Sequence, residues 1–142
     1  MNPRPWIIVA ALMGASGVAL GAYHAHGLEK NLAKQLTDSE EVQQRVDQFG
    51  SAARYQMYHA AALLGLIGLS AGWLSRCATI AATLLLIGVV LFSGSLYALA
   101  LTGTKVYAHI APFGGLTLIA AWLSMAGAVT QGTRSLVDDS GR

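Results

Sequence analysis

Charge is what this chain has least of. Asp, Glu, Lys and Arg make up 11% of its 142 residues, against about 25% in an ordinary soluble domain. No charged side chain occurs from Pro5 to Leu28, Tyr55 to Ser75, Cys77 to Thr104 or Val106 to Thr133. Each stretch reaches the roughly 20 apolar residues that a helix needs to cross the hydrocarbon core of a bilayer. Four such stretches leave too little chain to cover them, which excludes a water-soluble fold. The single cysteine, Cys77, excludes an internal disulfide. No basic run interleaves with aromatics, so nucleic acid is not a partner. HExxH, GxSxG, phosphate-loop and paired-carboxylate patterns are all missing, so the chain does not read as an enzyme and implies no cofactor.

What is present is 54% apolar residues and abundant glycine. The sequence predicts an all-α fold: a compact four-helix transmembrane bundle, a single domain over residues 1–142. Its helices are expected at about Trp6–Tyr23, Ser51–Leu74, Cys77–Leu101 and His109–Val129. Arg4 and the small residues Ala22 and Ala25 give the first segment a faint signal-peptide look. Three spans would remain after cleavage, so an uncleaved first helix is expected. Ser75–Arg76 and Thr102–Ala108 are short links that force antiparallel neighbours, with Gly103 suited to end the third helix.

The link from Gly27 to Gly50 is the long one, and it concentrates charge. Leu28, Leu32 and Leu36 recur every four residues, which predicts a short amphipathic helix between helices one and two. Thr37 with Glu40 resembles a capping box, and Val42, Val46 and Phe49 carry the apolar stripe onward. This piece can lie on the membrane surface or lid the bundle. Its charge is mixed, so nothing in it specifies anionic-lipid recognition.

Glycine pairs at four-residue spacing, Gly17/Gly21 and Gly68/Gly72, permit close backbone approach where lipid supplies no hydrophobic drive. Following the helices back and forth brings His24, His26, His59, His109 and all five tyrosines to one membrane face. The candidate polar cluster is His26, Arg54, Tyr55, Gln56, Tyr58, His59, Ser93, Ser95 and Tyr97. Arg54/Tyr58, Tyr55/His59 and Ser93/Tyr97 share helix faces at four-residue spacing. His26 and His59 are expected to face the protein interior or a polar pocket, near Tyr55, Tyr58 and Tyr97. Histidines can bind transition metals, but His24 and His26 diverge by about 200° on a helix, and no acidic residue joins them. Interfacial anchoring is the plainer reading, with a polar-ligand site and a metal site as alternatives. Ser93-Gly94-Ser95 reads as a hydrogen-bonding break in the third helix, and Pro112 with Gly114 and Gly115 as a candidate break in the fourth.

Four ordered motifs carry a likeness: Gly21-Ala-Tyr-His-Ala-His-Gly27, Tyr55-Gln-Met-Tyr-His-Ala60, Leu91-Phe-Ser-Gly-Ser-Leu-Tyr97 and Pro112-Phe-Gly-Gly115. Through them the chain resembles the small membrane-protein family designated domain of unknown function 423. The resemblance implies a compact four-helix membrane protein of bacteria, with eukaryotic relatives and no general enzymatic activity. It also implies characteristic polar positions at His26, Tyr55, Gln56, His59, Ser93, Ser95 and Tyr97. His24 stands where the family has glycine, and Ala111 where it has threonine, so a four-histidine metal site is not implied.

The expected role is noncatalytic: contact with lipids and with a membrane-protein partner or further copies of the chain, within a membrane assembly. The alternative is a small-molecule or ion transporter or channel subunit. The expected location is the bacterial inner membrane, both termini on one side. Arg4, Arg76, Arg134 and Arg142 fall on one face and Lys30, Lys34, Arg45, Arg54 and Lys105 on the other, which gives little positive-inside bias. A cytoplasmic placement of the termini rests on the usual insertion of helical hairpins.

Overall fold

The structure is a computed structural model that describes residues 2–70 and 74–140, with side chains as far as residue 128. Helix α1 spans Arg4–Tyr23. Pro5 sits in its first turn, where a missing N–H leaves no bond unmade. The helix does not stop at Tyr23. A π turn, His24–Leu28, joins it directly to α2, Glu29–Ala33. The expected separate amphipathic link is therefore a continuation of the first helix. Gly27 lies beneath the Tyr23 ring, where a Cβ would come within 3.1 Å of two ring carbons. Asn31 Nδ2 donates to the Tyr23 hydroxyl at 3.1 Å, tying α2 back across the π turn.

Helix α3, Ser39–Leu69, has 31 residues and is about 46 Å long at 1.5 Å per residue. Its N-cap is Asp38, not the expected Thr37: the Asp38 side chain accepts from Glu40 N at 2.9 Å. Glu40 and Glu41 then stabilise the positive end of the helix dipole. The helix begins twelve residues before the expected Ser51, because the Val42–Val46–Phe49 stripe is already helical and already packed. Its expected last turn, near Leu74, runs into residues 71–73, which lie outside the described residues.

Helix α4, Arg76–Thr102, opens on Ser75, whose hydroxyl accepts from Ala78 N at 3.2 Å. It runs unbroken through Ser93-Gly94-Ser95, so the expected break is not there. It ends at Gly103, the one residue with a left-handed backbone among the described residues (φ 69°), whose N–H donates to Leu99 O at 2.8 Å. Glycine takes that conformation without the Cβ penalty. Helix α5, Val106–Ser140, continues without interruption past Pro112, the other expected break.

The chain is an all-α bundle in which three helices are long and apolar enough to cross a membrane: Arg4–Ala33, Arg76–Thr102 and Val106–Ala128. In order of closest contact the helices form a row, α1–α3–α4–α5, folded so that α3 and α5 also meet where Trp122 reaches His59. The chief contacts join α1 to α3, α3 to α4, and α4 to α5, and α1 is not among the main partners of α5. The α4–α5 seam is the closest. Gly114 lies against the Phe92 backbone, and Gly88 against Leu118, so neither has room for a Cβ.

Two apolar clusters form along this row. The larger takes Ala10 and Met13 from α1, Ala60 and Leu63 from α3, Leu85 and Val89 from α4, and Leu118 and Ala121 from α5. The smaller gathers Leu28 and Leu32 against Val42, Phe49 and Ala100. Leu28 and Leu32 are thus the buried face of the amphipathic stretch, as their spacing predicts, and Leu36 packs at its edge.

Candidate functional site

Between the two clusters lies a polar layer. On α1 it falls between Met13 and Leu20, on α3 between Phe49 and Ala60, and on α4 between Val89 and Ala100. Gln56 is its centre and is buried. Gln56 Nε2 donates to the Met13 carbonyl and to Ser16 Oγ, both at 2.8 Å. Tyr97 Oη donates to Gln56 Oε1 at 3.1 Å. These partners fix every proton direction. A backbone carbonyl only accepts, so the amide nitrogen must face Met13. Ser16 donates its own proton to the Leu12 carbonyl at 2.7 Å and is left to accept. One neutral side chain thereby links α1, α3 and α4, which burial demands of a polar group.

Ser93 is in the same region, 1% exposed, and its hydroxyl is without a hydrogen-bond partner. Ser95 is also buried, but its Oγ turns back to the Phe92 carbonyl at 2.9 Å.

One turn along α3 from Gln56 is His59, 5% exposed. Its Nδ1 is 2.7 Å from the Tyr55 carbonyl, and Trp122 Nε1 donates to its Nε2 at 3.3 Å. The indole can only donate and the carbonyl can only accept, so the imidazole is the neutral tautomer with its proton on Nδ1. The Tyr55 ring stacks on the same imidazole, with centroids 6.1 Å apart and planes 18° apart.

The other candidate residues lie outside this core. His26, Arg54, Tyr55 and Tyr58 are exposed. His26 therefore does not face the interior as expected. Arg54 donates to Ser51 Oγ at 3.0 Å and not to Tyr58. Tyr55 and Tyr58 approach each other at 6.2 Å, and Tyr55 also meets Phe92 at 4.8 Å. These aromatics suit a membrane–water interface, where one edge is apolar and the other wet. His24, the family-atypical position, stacks on Phe49 with planes 4° apart and leaves Gly50 no room for a Cβ.

The four histidines thus occupy different surroundings. Among the described residues no three of His, Cys, Asp or Glu gather to hold a metal ion. The hydrogen bonds of the buried layer join neutral groups and can orient helices or a neutral polar ligand. Sequence reasoning overlooked Ser16 and Trp122. Neither carries a spacing signal, since each acts through a helix far away in the chain.

Comparison with known proteins places the chain among membrane proteins. Residues 20–115, two thirds of the chain, match the family described as Protein of unknown function (DUF423). A UPF0382 membrane protein of Staphylococcus haemolyticus is 42% identical over 120 residues, covering 84% of this chain and 90% of its own length. The UPF0382 membrane protein of Haemophilus influenzae is 38% identical over 122 residues, 85% and 90% of the two chains. The UPF0382 inner membrane protein YgdD of Escherichia coli K12 is 37% identical over 130 residues, 91% and 92% of the two chains. No solved structure matches. With its central two thirds matched, and relatives aligned over most of both lengths, the chain belongs to the DUF423 family of small integral membrane proteins, and the inner-membrane location of its Escherichia coli relative agrees with the location expected for it.

Proposed function

We propose that this protein is a noncatalytic four-span membrane protein, one domain over residues 1–142, that joins or stabilises a membrane assembly. The fourth span is the charge-free part of α3 from Tyr55 onward, set between α1 and α4 in the row. An even number of spans returns both termini to one side of the membrane.

The observation that carries the assembly reading is the exposed apolar face of α1. Helix α1 packs chiefly on α3 and leaves Ile7, Ile8, Leu12 and Val18 exposed. Gly14 and Gly21 on α1 have nothing within 4 Å of where a Cβ would lie. Lipid covers such a face adequately, and lipid contact is the common property of all three long apolar helices. Glycines with no internal neighbour additionally leave room for a helix of another subunit to approach. The gain there would come from packing, because apolar surface in lipid supplies no hydrophobic drive.

Crosslinking in intact native membranes, before gentle extraction, tests this. The expected result is a defined crosslinked species that co-purifies with the wild-type protein and is lost in Gly14→Leu. An isolated monomer in every preparation, together with solute flux through reconstituted vesicles, would replace the assembly reading with the transporter or channel-subunit alternative.

A further inference from the structure

Where α4 ends, the polar surface folds into a cleft of about 130 Å³. Glu41, Gln44, Arg45 and Gln48 of α3 line one side of it, and Gly103 and Lys105 of the α4–α5 turn line the other. Lys105 is 60 residues from Arg45 in the chain, which is why the mixed charges of α3 alone gave no sign of this site. The Arg45 side chain is 15% exposed, paired with Glu41 at 2.5 Å, and rests over Gly103, where no Cβ would fit. That ion pair uses one of the five N–H donors of a guanidinium. Among the described residues nothing pairs with the Lys105 ammonium or with the Gln44 and Gln48 side-chain amides.

The lining carries two cations and one carboxylate, leaving one positive charge in excess. That balance fits a monoanion and, with Glu41 present, disfavours a dianion such as free hydrogen phosphate. Depth points the same way. The cleft lies at the end of the charge-free α4 span, where a helix that crosses the hydrocarbon core emerges among the headgroups. Leu101 and Val106, which flank the turn in sequence, are 48% and 62% exposed and offer apolar surface for acyl chains. We propose that this cleft binds the headgroup of an anionic phospholipid, its phosphodiester held between Lys105 and Arg45. Lys105 supplies a point charge, the guanidinium a directional one, and the glutamine amides serve ester oxygens.

The test is lipid retention. The full chain is reconstituted into phosphatidylcholine vesicles containing phosphatidylglycerol, extracted gently, and its bound lipids are counted by native mass spectrometry. Wild type and Lys105→Arg are expected to retain phosphatidylglycerol selectively. Lys105→Gln is expected to lower that selectivity about fivefold, the equivalent of the ~1 kcal/mol carried by one basic residue at an anionic surface. Lys105→Glu should abolish it. Arg54→Gln, which removes an exposed cation outside the cleft lining, should leave it unchanged. Unchanged retention in Lys105→Gln, an equal loss in Arg54→Gln, or displacement of the lipid by inorganic phosphate would each overturn the assignment.

Discussion

Trp122 donates its indole N–H to His59 Nε2, bridging α5 to α3 across the α4 helix that separates them in the chain. The bond makes His59 an acceptor on one nitrogen and a donor on the other. Its removal leaves the indole N–H to find a new partner, while the Tyr55 carbonyl keeps its helical bond to the N–H of residue 59.

His59→Ala is therefore expected to lower stability by about 1–3 kcal/mol. His109 is exposed, and His109→Ala should fall within about 0.5 kcal/mol of wild type. Thermal unfolding of both variants in one detergent compares them directly. Equal losses would remove the distinction between a buried and an interfacial imidazole.

Gln56 and Tyr97 should behave as a coupled pair. Gln56→Leu leaves the Tyr97 hydroxyl without its acceptor and should cost about 1–2 kcal/mol, while Tyr97→Phe alone should cost less. In the double variant the orphaned hydroxyl is gone, so the loss should be smaller than the sum of the two. A double-mutant cycle in denaturant or heat reads the coupling, and strict additivity would mean the bond contributes nothing.

The histidine prediction shows how far sequence reading reaches. The charge-free stretches were legible because hydropathy adds residue by residue, with no need to know which helix meets which. The Leu28–Leu32–Leu36 stripe was legible because spacing alone defines a helix face. His26 was misplaced because a shared level in the membrane does not fix a direction: it sits in the π turn with its side chain exposed. Gln56 and His59 were both in the candidate cluster, yet their partners were not: Ser16, the Met13 carbonyl and Trp122 are at least 40 residues away in sequence. Helix rotation decides such pairings, and a single sequence does not encode it in any local pattern. The row arrangement was equally hidden, because short links dictate which helices are neighbours but not whether the first and last meet.

The α4–α5 seam makes a sharper test of packing. A methyl group at Gly114 would strike the Phe92 backbone, which cannot swing aside as a side chain can. Gly114→Ala should destabilise by about 1–3 kcal/mol, the usual range for overpacking. Gly14 has open space around it, so Gly14→Ala should be neutral or stabilising by up to about 1 kcal/mol through helix propensity. Unfolding midpoints of the purified variants settle the order; a tolerated Gly114→Ala would mean that the seam is looser than the approach of Gly114 to the Phe92 backbone implies.

Topology is open to chemical labelling. Cys77 is partly exposed, so it is first replaced by alanine, and single cysteines are then placed near each terminus. With four spans, a membrane-impermeant thiol reagent should reach both from the same side of sealed vesicles. Opposite accessibility would mean that Tyr55–Leu69 does not cross.

The order of the row also bears on how the protein is made. Synthesis delivers α1, then α3, α4 and α5, and each arrival finds its main packing partner in the helix that emerged just before it. Nothing has to be threaded between elements already in place, and no early helix must wait for a late one to cover its principal interface. Domains completed from the N-terminus during synthesis spend less time with unmatched surfaces, and contacts between chain neighbours form fastest. The exception is the His59–Trp122 bond, which skips a helix and closes only when the last one arrives. The growing chain can thus commit to most of its architecture helix by helix, with that helix-skipping hydrogen bond acting as the latch.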